Sequence, residues 1–456
     1  MTDLHHPNRR DFLKTVGLTG AGLAAGSVFT NAAPSPSASP SPSPHSSAAG
    51  LALPAMEKIR LGFIGIGDRG TGLLRLALRI EGFQVTALCD IHPPHAERAR
   101  DLCAKYQRES TPRVFTEGDT AYRRLLECDD VDAVIIATPW SCHTPQALDA
   151  MNSGKHAFVE VPAAITVEDC WRLVETAEAS QRHCMMMENV CYGEQEMMAL
   201  NMCRQGVFGE LLHGEGAYIH DLRYQMKDGP HGTGGWRTAH HARRNGNFYP
   251  THGLGPIAQY MNINRGDRFD YLVSMSSPAR GRAEYARKNL PEGHPFRDLK
   301  YVCGDINNSL IKTSSGRSIL VQYDTTTPRP YSRINLIQGT EGMYRSFPQE
   351  QLTLGTHKKQ NLRHIRKQYQ HPLWHKRGPL ARKLGGHGGM DALMLWRIAY
   401  CLRHGEPLDQ DVYDAASWSA ICPLSEASVA ARSKPIDIPD FTRGQWKTMK
   451  PLAIAT

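Results

Sequence analysis

Ile59-Arg-Leu-Gly-Phe-Ile-Gly-Ile-Gly-Asp-Arg-Gly70 is the stretch on which the reading of this chain turns. The run from Ile59 to Ile64 is apolar and β-branched enough for a buried strand. It breaks into Gly65-Ile-Gly67-Asp-Arg-Gly70, and a Leu/Ala-rich helical pattern follows from Leu73 to Leu78. Strand, glycine turn and helix in that order predict a dinucleotide-binding unit. Gly65 allows the tight turn, Gly67 lets backbone approach a pyrophosphate, and Gly70 lets the helix sit close to its strand. The helix N-terminus offers unpaired N–H groups and the positive end of its dipole to phosphates. A glycine triplet alone is a weak signal. Here a second strand follows, Phe83-Gln-Val-Thr-Ala-Leu-Cys89, and ends at Asp90. A carboxylate there accepts from ribose hydroxyls and disfavours a 2′-phosphate, so the expected cofactor is NAD rather than NADP.

Outward from this unit the α/β pattern continues. Val131 to Ala137 reads as a central parallel strand running into a loop, Thr138-Pro-Trp-Ser-Cys-His143, at the carboxyl edge of the sheet. Helical spacing spans Pro145 to Asn152, another strand spans His156 to Pro162, and a helix from Val167 to Gln181 has Thr166 as its N-cap. Cys184 to Asn189 is the last strand of this pattern. From Val190 onward the chain becomes rich in glycine, aromatics and histidine. Gly214 to Arg223, Asn308 to Thr313, Ser318 to Thr325 and Arg333 to Gly339 read as strands of an antiparallel sheet, with turn chemistry at Ser314-Ser-Gly316. A strong helix, Ala392 to His404, is expected to pack across both parts. The fold class expected is α/β followed by α+β. Residues 57–190 form a Rossmann domain with a doubly wound parallel sheet. Residues 191–456 form a substrate domain on a mostly antiparallel open sheet, the C-terminal segment packing back on the first domain.

The 456 residues, 41% hydrophobic and 21% charged, suit a globular protein of two domains. The net charge of +8 is scattered, and its densest cluster, from His357 to Lys367, lacks aromatic interleaving, so no nucleic-acid partner is expected. Residues 1–33 read as an address: Asn8-Arg-Arg-Asp-Phe-Leu-Lys14 resembles the twin-arginine export signal. The Gly/Ala-rich segment after it is too short and too weakly apolar for a stable membrane span. Residues 34–56 are a Pro/Ser-rich linker. The address predicts a periplasmic or secreted protein that passes through the twin-arginine machinery already folded. Nicotinamide cofactors are scarce there, so a dinucleotide would have to travel bound. The eleven cysteines contain no C-x-x-C pair and suit folding in a reducing compartment as free thiols. The 21 histidines form no H-E-x-x-H or comparable pattern, so no metal is expected.

The Thr138-Pro139…His143 loop and Glu160-Val161-Pro162 resemble the Gfo/Idh/MocA oxidoreductase family, whose second motif usually reads Glu-Lys-Pro. In that family the lysine helps to move the substrate hydroxyl proton, and valine in its place speaks against a plain sugar dehydrogenase. Further motifs are similar to glycoside hydrolase family 109: Glu160-Val-Pro-Ala163, the Glu188-Asn…Tyr192 box, Gly216 to Arg223, Gly235-Trp-Arg237, Asn245 to Pro256, Pro328-Arg-Pro-Tyr331 and His387-Gly-Gly-Met-Asp391. The likeness runs from Ile59 to about Tyr413.

That resemblance implies an α-N-acetylgalactosaminidase on the Gfo/Idh/MocA scaffold, acting on glycans that end in α-N-acetylgalactosamine. It implies a tightly bound NAD+ that takes a hydride from C3 of the sugar. The ketone acidifies the C2 proton, a base removes it, the glycosidic oxygen leaves C1, water adds, and the hydride returns. The cofactor is thus recycled in each turnover. His252 is the implied catalytic base, with Tyr249 as a phenolic acid or hydroxyl binder. Tyr218, Arg237 and Tyr331 join His252 and Tyr249 as sugar-binding groups. Beyond Gly65, Gly67 and Gly70, the cofactor contacts expected are Asp68, Arg69, Asp90, Trp140, His143, Glu160, Val161 and Asn189. His387 and Asp391 are either supports for the site or a helix-start device. Association into homo-oligomers through the open face of the second sheet is also implied. Two other classes compete: a sugar oxidoreductase with net nicotinamide turnover, and a non-catalytic sugar- or nucleotide-binding protein.

Overall fold

The computed structural model describes residues 46–107, 110–229, 231–355, 358–451 and 454. The arginine pair and the spacer through Pro44 lie outside the described residues. Residues 46–56, assigned to the linker by composition, are held against the body of the protein. Ala48 is buried with its N–H on the Tyr413 hydroxyl, and the Met56 N–H donates to the Leu402 carbonyl.

Six short strands form the first sheet: β1 (Ile59–Ile64), β2 (Phe83–Cys89), β3 (Arg113–Phe115), β4 (Ala133–Ile136), β5 (His156–Val159) and β6 (Cys184–Met186). All pairs are parallel, in the order β3-β2-β1-β4-β5-β6. β4 and β5 are buried at every residue, as strands with helices on both faces must be. Strand order reverses between β1 and β4, and the carboxyl ends open a crevice there. The Val167–Ser180 helix begins as its sequence directs, Thr166 accepting from the Asp169 N–H at 3.1 Å. One local expectation fails. The segment after Thr138 is not a loop through His143, because a helix begins at Trp140, directly after Pro139. The proline sets a φ of −59° at the N-cap and starts the helix five residues earlier than the apolar spacing suggests.

The second sheet has nine strands: β7 (Leu211–Ile219), β8 (Phe269–Ser276), β9 (Asn307–Thr313), β10 (Ser318–Asp324), β11 (Leu336–Gly339), β12 (Gly342–Arg345), β13 (Gln351–Leu354), β14 (Lys358–Lys359) and β15 (Ile436–Asp437). Their order is β14-β13-β12-β11-β7-β10-β9-β8-β15, antiparallel except for β7 beside β10. The Thr251–Tyr260 helix covers one face at β7, and the Ile421–Ala430 helix covers β8. On the other face Tyr271, Met275 and Leu310 stand exposed. The Met390–His404 helix touches the Asp68–Ala77 helix on one side and the Asn189–Tyr192 turn on another. The Val412–Ser419 helix packs on the Val167–Ser180 helix and on β6, so late sequence braces the first sheet. All eleven cysteines are free, and all but Cys142 and Cys203 are buried. No helix among the described residues is long and apolar enough to cross a membrane.

Candidate active site

A cleft of about 1030 Å³ opens between the carboxyl edge of the parallel sheet and the second domain. Its first wall is the glycine turn. Gly65 has φ +82°, and a Cβ there would stand 2.8 Å from the Ala137 carbonyl oxygen. A Cβ on Gly70 would lie 2.0 Å from the Gly65 carbonyl oxygen, so only glycine lets the helix begin so close to its strand. A Cβ on Gly67 would meet nothing nearer than His95 at 3.7 Å, which leaves that backbone open toward the cleft. The Asp68–Ala77 helix has no side-chain cap, so its first N–H groups are free for phosphate. Asp90 stands just past β2, accepting from the Ile66 N–H at 2.6 Å and the His92 N–H at 2.8 Å. These bonds orient a carboxylate that lines the cleft. Asn189 Oδ1 is buried there without a partner, an acceptor positioned for a ligand donor. The turn, the open helix end, the acid and the orphan acceptor together fit NAD.

Arg69 has a different part. Its Nε donates to Glu160 at 2.7 Å, and Nη1 and Nη2 donate to the two Asp391 oxygens at 2.7 and 3.0 Å. Burial works against its charge, but the two carboxylates outweigh burial and raise its pKa further. Asn189 Nδ2 donates to Asp391 at 2.7 Å, and His387 Nδ1 lies 2.8 Å from the same carboxylate. Burial would raise the Asp391 pKa, yet Arg69 and His387 pull it far below the usual range. Asp391 sits in the first turn of the Met390–His404 helix. It is therefore both a helix-start group and the hub that fixes Arg69 and Asn189. His143 is also committed. Its ring is buried, with Nδ1 2.8 Å from the Pro162 carbonyl and Nε2 2.7 Å from that of Thr138. It braces one loop against the other, and burial lowers its pKa. Asp68, Glu160 and Val161 line the cleft, and valine offers no ammonium where a lysine would reach.

The opposite wall carries the imidazole. His252 is the second residue of the Thr251–Tyr260 helix. A Cβ on Gly216 of β7 would come within 2.2 Å of the Gly253 carbonyl oxygen, and one on Gly253 of the helix within 2.2 Å of the Ala217 nitrogen, so small residues allow this approach. A Cβ on Gly255 would meet Glu188 Cγ at 2.9 Å, which makes room for the acid as well. Glu188, fully buried just past β6, accepts from His252 Nδ1–H at 2.7 Å. In the neutral ring that bond leaves Nε2 unprotonated, an acceptor on a residue that lines the cleft. Around it stand Tyr249 and Tyr218, ring centroids 4.9 and 5.2 Å from His252, and 4.6 Å from each other. The Tyr218 hydroxyl is 3.2 Å from Nδ1 of His220, which follows the end of β7. Burial pushes the Tyr218 phenol up to about 12 and the Tyr249 phenol well above its ordinary value, with Arg237 opposing both. Both phenols therefore stay protonated donors. Arg237 lies over the Trp140, Trp236 and Tyr249 rings, 5.2–5.7 Å from their centroids.

The structure thus gathers Arg237, Tyr249 and His252 on one wall and the glycine turn, Asp90, Glu160 and Asn189 on the other, with Trp140 between; Tyr218 stands behind that wall, its ring against Tyr249 and His252 and outside the cleft lining. It does not bring Tyr331 into the cleft lining. That residue stands 40% exposed, its hydroxyl accepting from Arg333 at 2.7 Å and its ring T-shaped to His220 at 5.0 Å. Sequence reasoning missed two partners: Glu188, which was legible only as part of a motif, and Trp236, which packs edge-on against Trp140 at 4.8 Å.

Comparison with known proteins gives this geometry a lineage. A family model described as the NAD-binding Rossmann fold of the oxidoreductase family matches residues 59–188, and one described as the glycosyl hydrolase 109 C-terminal domain matches residues 192–448. A glycosyl hydrolase family 109 protein of Shewanella baltica is 56% identical, the match covering 99% of both chains. An alpha-N-acetylgalactosaminidase of Shewanella oneidensis matches to the same extent, 56% over 99% of each. Among solved structures, a levoglucosan dehydrogenase in complex with NADH and levoglucosan superposes with a TM-score of 0.62 at 19% identity, covering 84% of this chain and all of its own. An aldose-aldose oxidoreductase from Caulobacter crescentus gives 0.58 at 16%, with the same coverage. At those identities the likeness speaks for the fold alone. With a Rossmann domain that binds NAD(H), a family model over more than half its length and relatives identical at most positions, this chain belongs to glycosyl hydrolase family 109.

Proposed function

We propose that the protein hydrolyses terminal α-N-acetylgalactosamine from glycoconjugates without net redox change, keeping one NAD bound through successive turnovers. The observation that carries the reading is the His252–Glu188 pair set across the cleft from the glycine turn. When bound, NAD supplies the temporary oxidation at sugar C3 that makes the C2 proton acidic. His252 Nε2 takes that proton, and the Glu188 carboxylate on Nδ1–H stabilises the imidazolium that results. Arg237, stacked over Trp140, Trp236 and Tyr249 and lining the cleft, faces the oxygen where negative charge develops. Tyr249, held protonated, donates to sugar or leaving-group oxygens with Tyr218 packed behind it, and the aromatic wall of Trp140 and Trp236 excludes water. Valine at position 161 supports the glycosidase over a dehydrogenase, since the lysine that would serve a freely exchanging redox reaction is absent.

The Asn8-Arg-Arg…Lys14 segment supports export by the twin-arginine machinery to the periplasm or beyond, and export supports a cofactor that is loaded before transit and retained. The exposed Tyr271, Met275 and Leu310 support self-association through the open face of the second sheet. The decisive experiment incubates purified protein with p-nitrophenyl α-N-acetylgalactosaminide and no added cofactor, in D₂O. Hydrolysis with deuterium at C2 of the released sugar is expected. Stoichiometric NADH formed from free sugars, with the glycoside intact, would replace this reading with that of a dehydrogenase.

A further inference from the structure

Next to the cleft lies a second, small cavity of about 10 Å³, lined by Tyr218, Arg237, His241, Arg282, Tyr323 and Thr325 among others. It adjoins the cleft through Trp140, Arg237 and Tyr249, which line both. Arg282 is 4% exposed. Its recorded hydrogen bond runs from Nη1 to the Thr238 hydroxyl at 3.3 Å, and its Nε is buried with no acceptor. The Nε of Arg237 is buried and unpaired in the same way. Nearby carboxylates are committed elsewhere. Asp221 holds Arg223 at 2.8 Å, Asp305 accepts from the Arg280 and Gly281 N–H groups at 2.8 Å, and Asp324 accepts from Thr326 and Thr327. His241 does not compensate, since Nδ1–H donates to the Arg237 carbonyl at 2.9 Å and burial keeps the ring neutral. Other deeply buried arginines here are neutralised: Arg265 by Asp411 and Asp414, Arg333 by Glu196, and Arg397 by Asp409. Burying a charge is costly unless it is paired, so the deeply buried Arg282, with the half-buried Arg237 beside it on the same cavity, calls for an anion.

We propose that this cavity binds a monatomic anion of the halide class between Arg237 and Arg282. Its volume has room for one atom-sized guest and none for a phosphate or a carboxylate ligand. The anion offsets the repulsion between the two cations and holds Arg237 against the aromatic wall.

The test uses the NAD-loaded protein without any glycan, so it stands or falls separately from the glycosidase assignment. Sodium chloride or bromide replaces sodium gluconate at constant ionic strength while thermal unfolding is followed. A saturable rise in Tm on the order of 2–4 °C is expected with either halide, and its loss in Arg282→Met. Crystals of the native protein grown in bromide should show an anomalous peak between the two guanidinium groups. Those native crystals decide the matter even where R282M fails to fold. Equal Tm in gluconate and halide, or native crystals with only water in the cavity, would overturn the proposal.

Discussion

Arginines on the two sides of the cleft are treated in opposite ways. On the cofactor side Arg69 is tied to Glu160 and Asp391 at 2.7 Å each, so its charge is cancelled within the protein. On the substrate side Arg237 and Arg282 line one small cavity, and neither forms an ion pair with a carboxylate among the described residues. The first arrangement joins the glycine-turn helix, the end of β5 and the Met390–His404 helix. The second leaves positive charge to be met by something that arrives. The contrast separates a device that assembles the cleft from one that serves a ligand, and mutation should tell the two apart.

The largest effect should come from the substrate wall. His252→Ala is expected to lower turnover on the order of 10²–10⁴-fold while Tm and bound NAD stay level. Glu188→Gln should reduce kcat in the same direction, because an amide stabilises the imidazolium less than a carboxylate does. Near-normal hydrolysis by folded His252→Ala would remove the base from the mechanism. On the cofactor side the loss should instead be in stability. Asp391→Ala strips Arg69 of its bidentate partner and Asn189 of its acceptor, and with Glu160 still on Arg69 it should cost about 1–3 kcal/mol in urea unfolding. A cost no larger than that of an exposed aspartate would erase the distinction between the two sides.

Asp90→Ala should affect cofactor retention more than fold. A charge-assisted ribose contact contributes about 1–3 kcal/mol, so the purified variant should carry measurably less NAD at nearly unchanged Tm. Full NAD occupancy would show that Asp90 only braces Ile66 and His92. The smallest effect per residue concerns acid. Burial, helped by Arg182, lowers His156 to about 4, and burial with His156 and Arg182 lowers His183 to about 3. Both rings are neutral when folded but gain a proton near pH 6.5 when unfolded. Their contribution is therefore complete above pH 6.5 and is lost as pH falls from there toward their folded values. Each should cost about 1 kcal/mol by pH 5.5. Urea midpoints at pH 7.5 and 5.5 should differ less in a His156→Gln/His183→Gln variant, and an unchanged difference would assign the acid sensitivity to the buried histidines of the second domain.

Much of the cofactor side was legible because its signals are local. The glycine spacing, the strand ending at Asp90 and the Thr166 cap each act within one or two elements. The Trp140 helix start was not legible, since apolar periodicity underweights a first turn that mixes Trp140 and Cys142 with polar Ser141 and His143. Glu188 could not be matched with His252 from spacing, because they lie 64 residues apart and meet only when the Thr251–Tyr260 helix seats on β7. Tyr331 shows the converse. Its motif suggested sugar contact, but its phenol is engaged by Arg333 outside the cleft lining.

By itself, then, the sequence determined the parallel sheet, the choice of NAD, the presence of a second antiparallel sheet and the family, because periodicity, turn chemistry and contiguous motifs survive in one dimension. Tertiary structure alone decided which charges are cancelled and which are left open. Asp391 reaches Arg69 across 322 positions, while Arg282 donates to the Thr238 hydroxyl and forms no ion pair among the described residues. Whether a buried cation is a clamp or a ligand site depends on what the fold places within hydrogen-bond distance of it, and no local pattern encodes that distance.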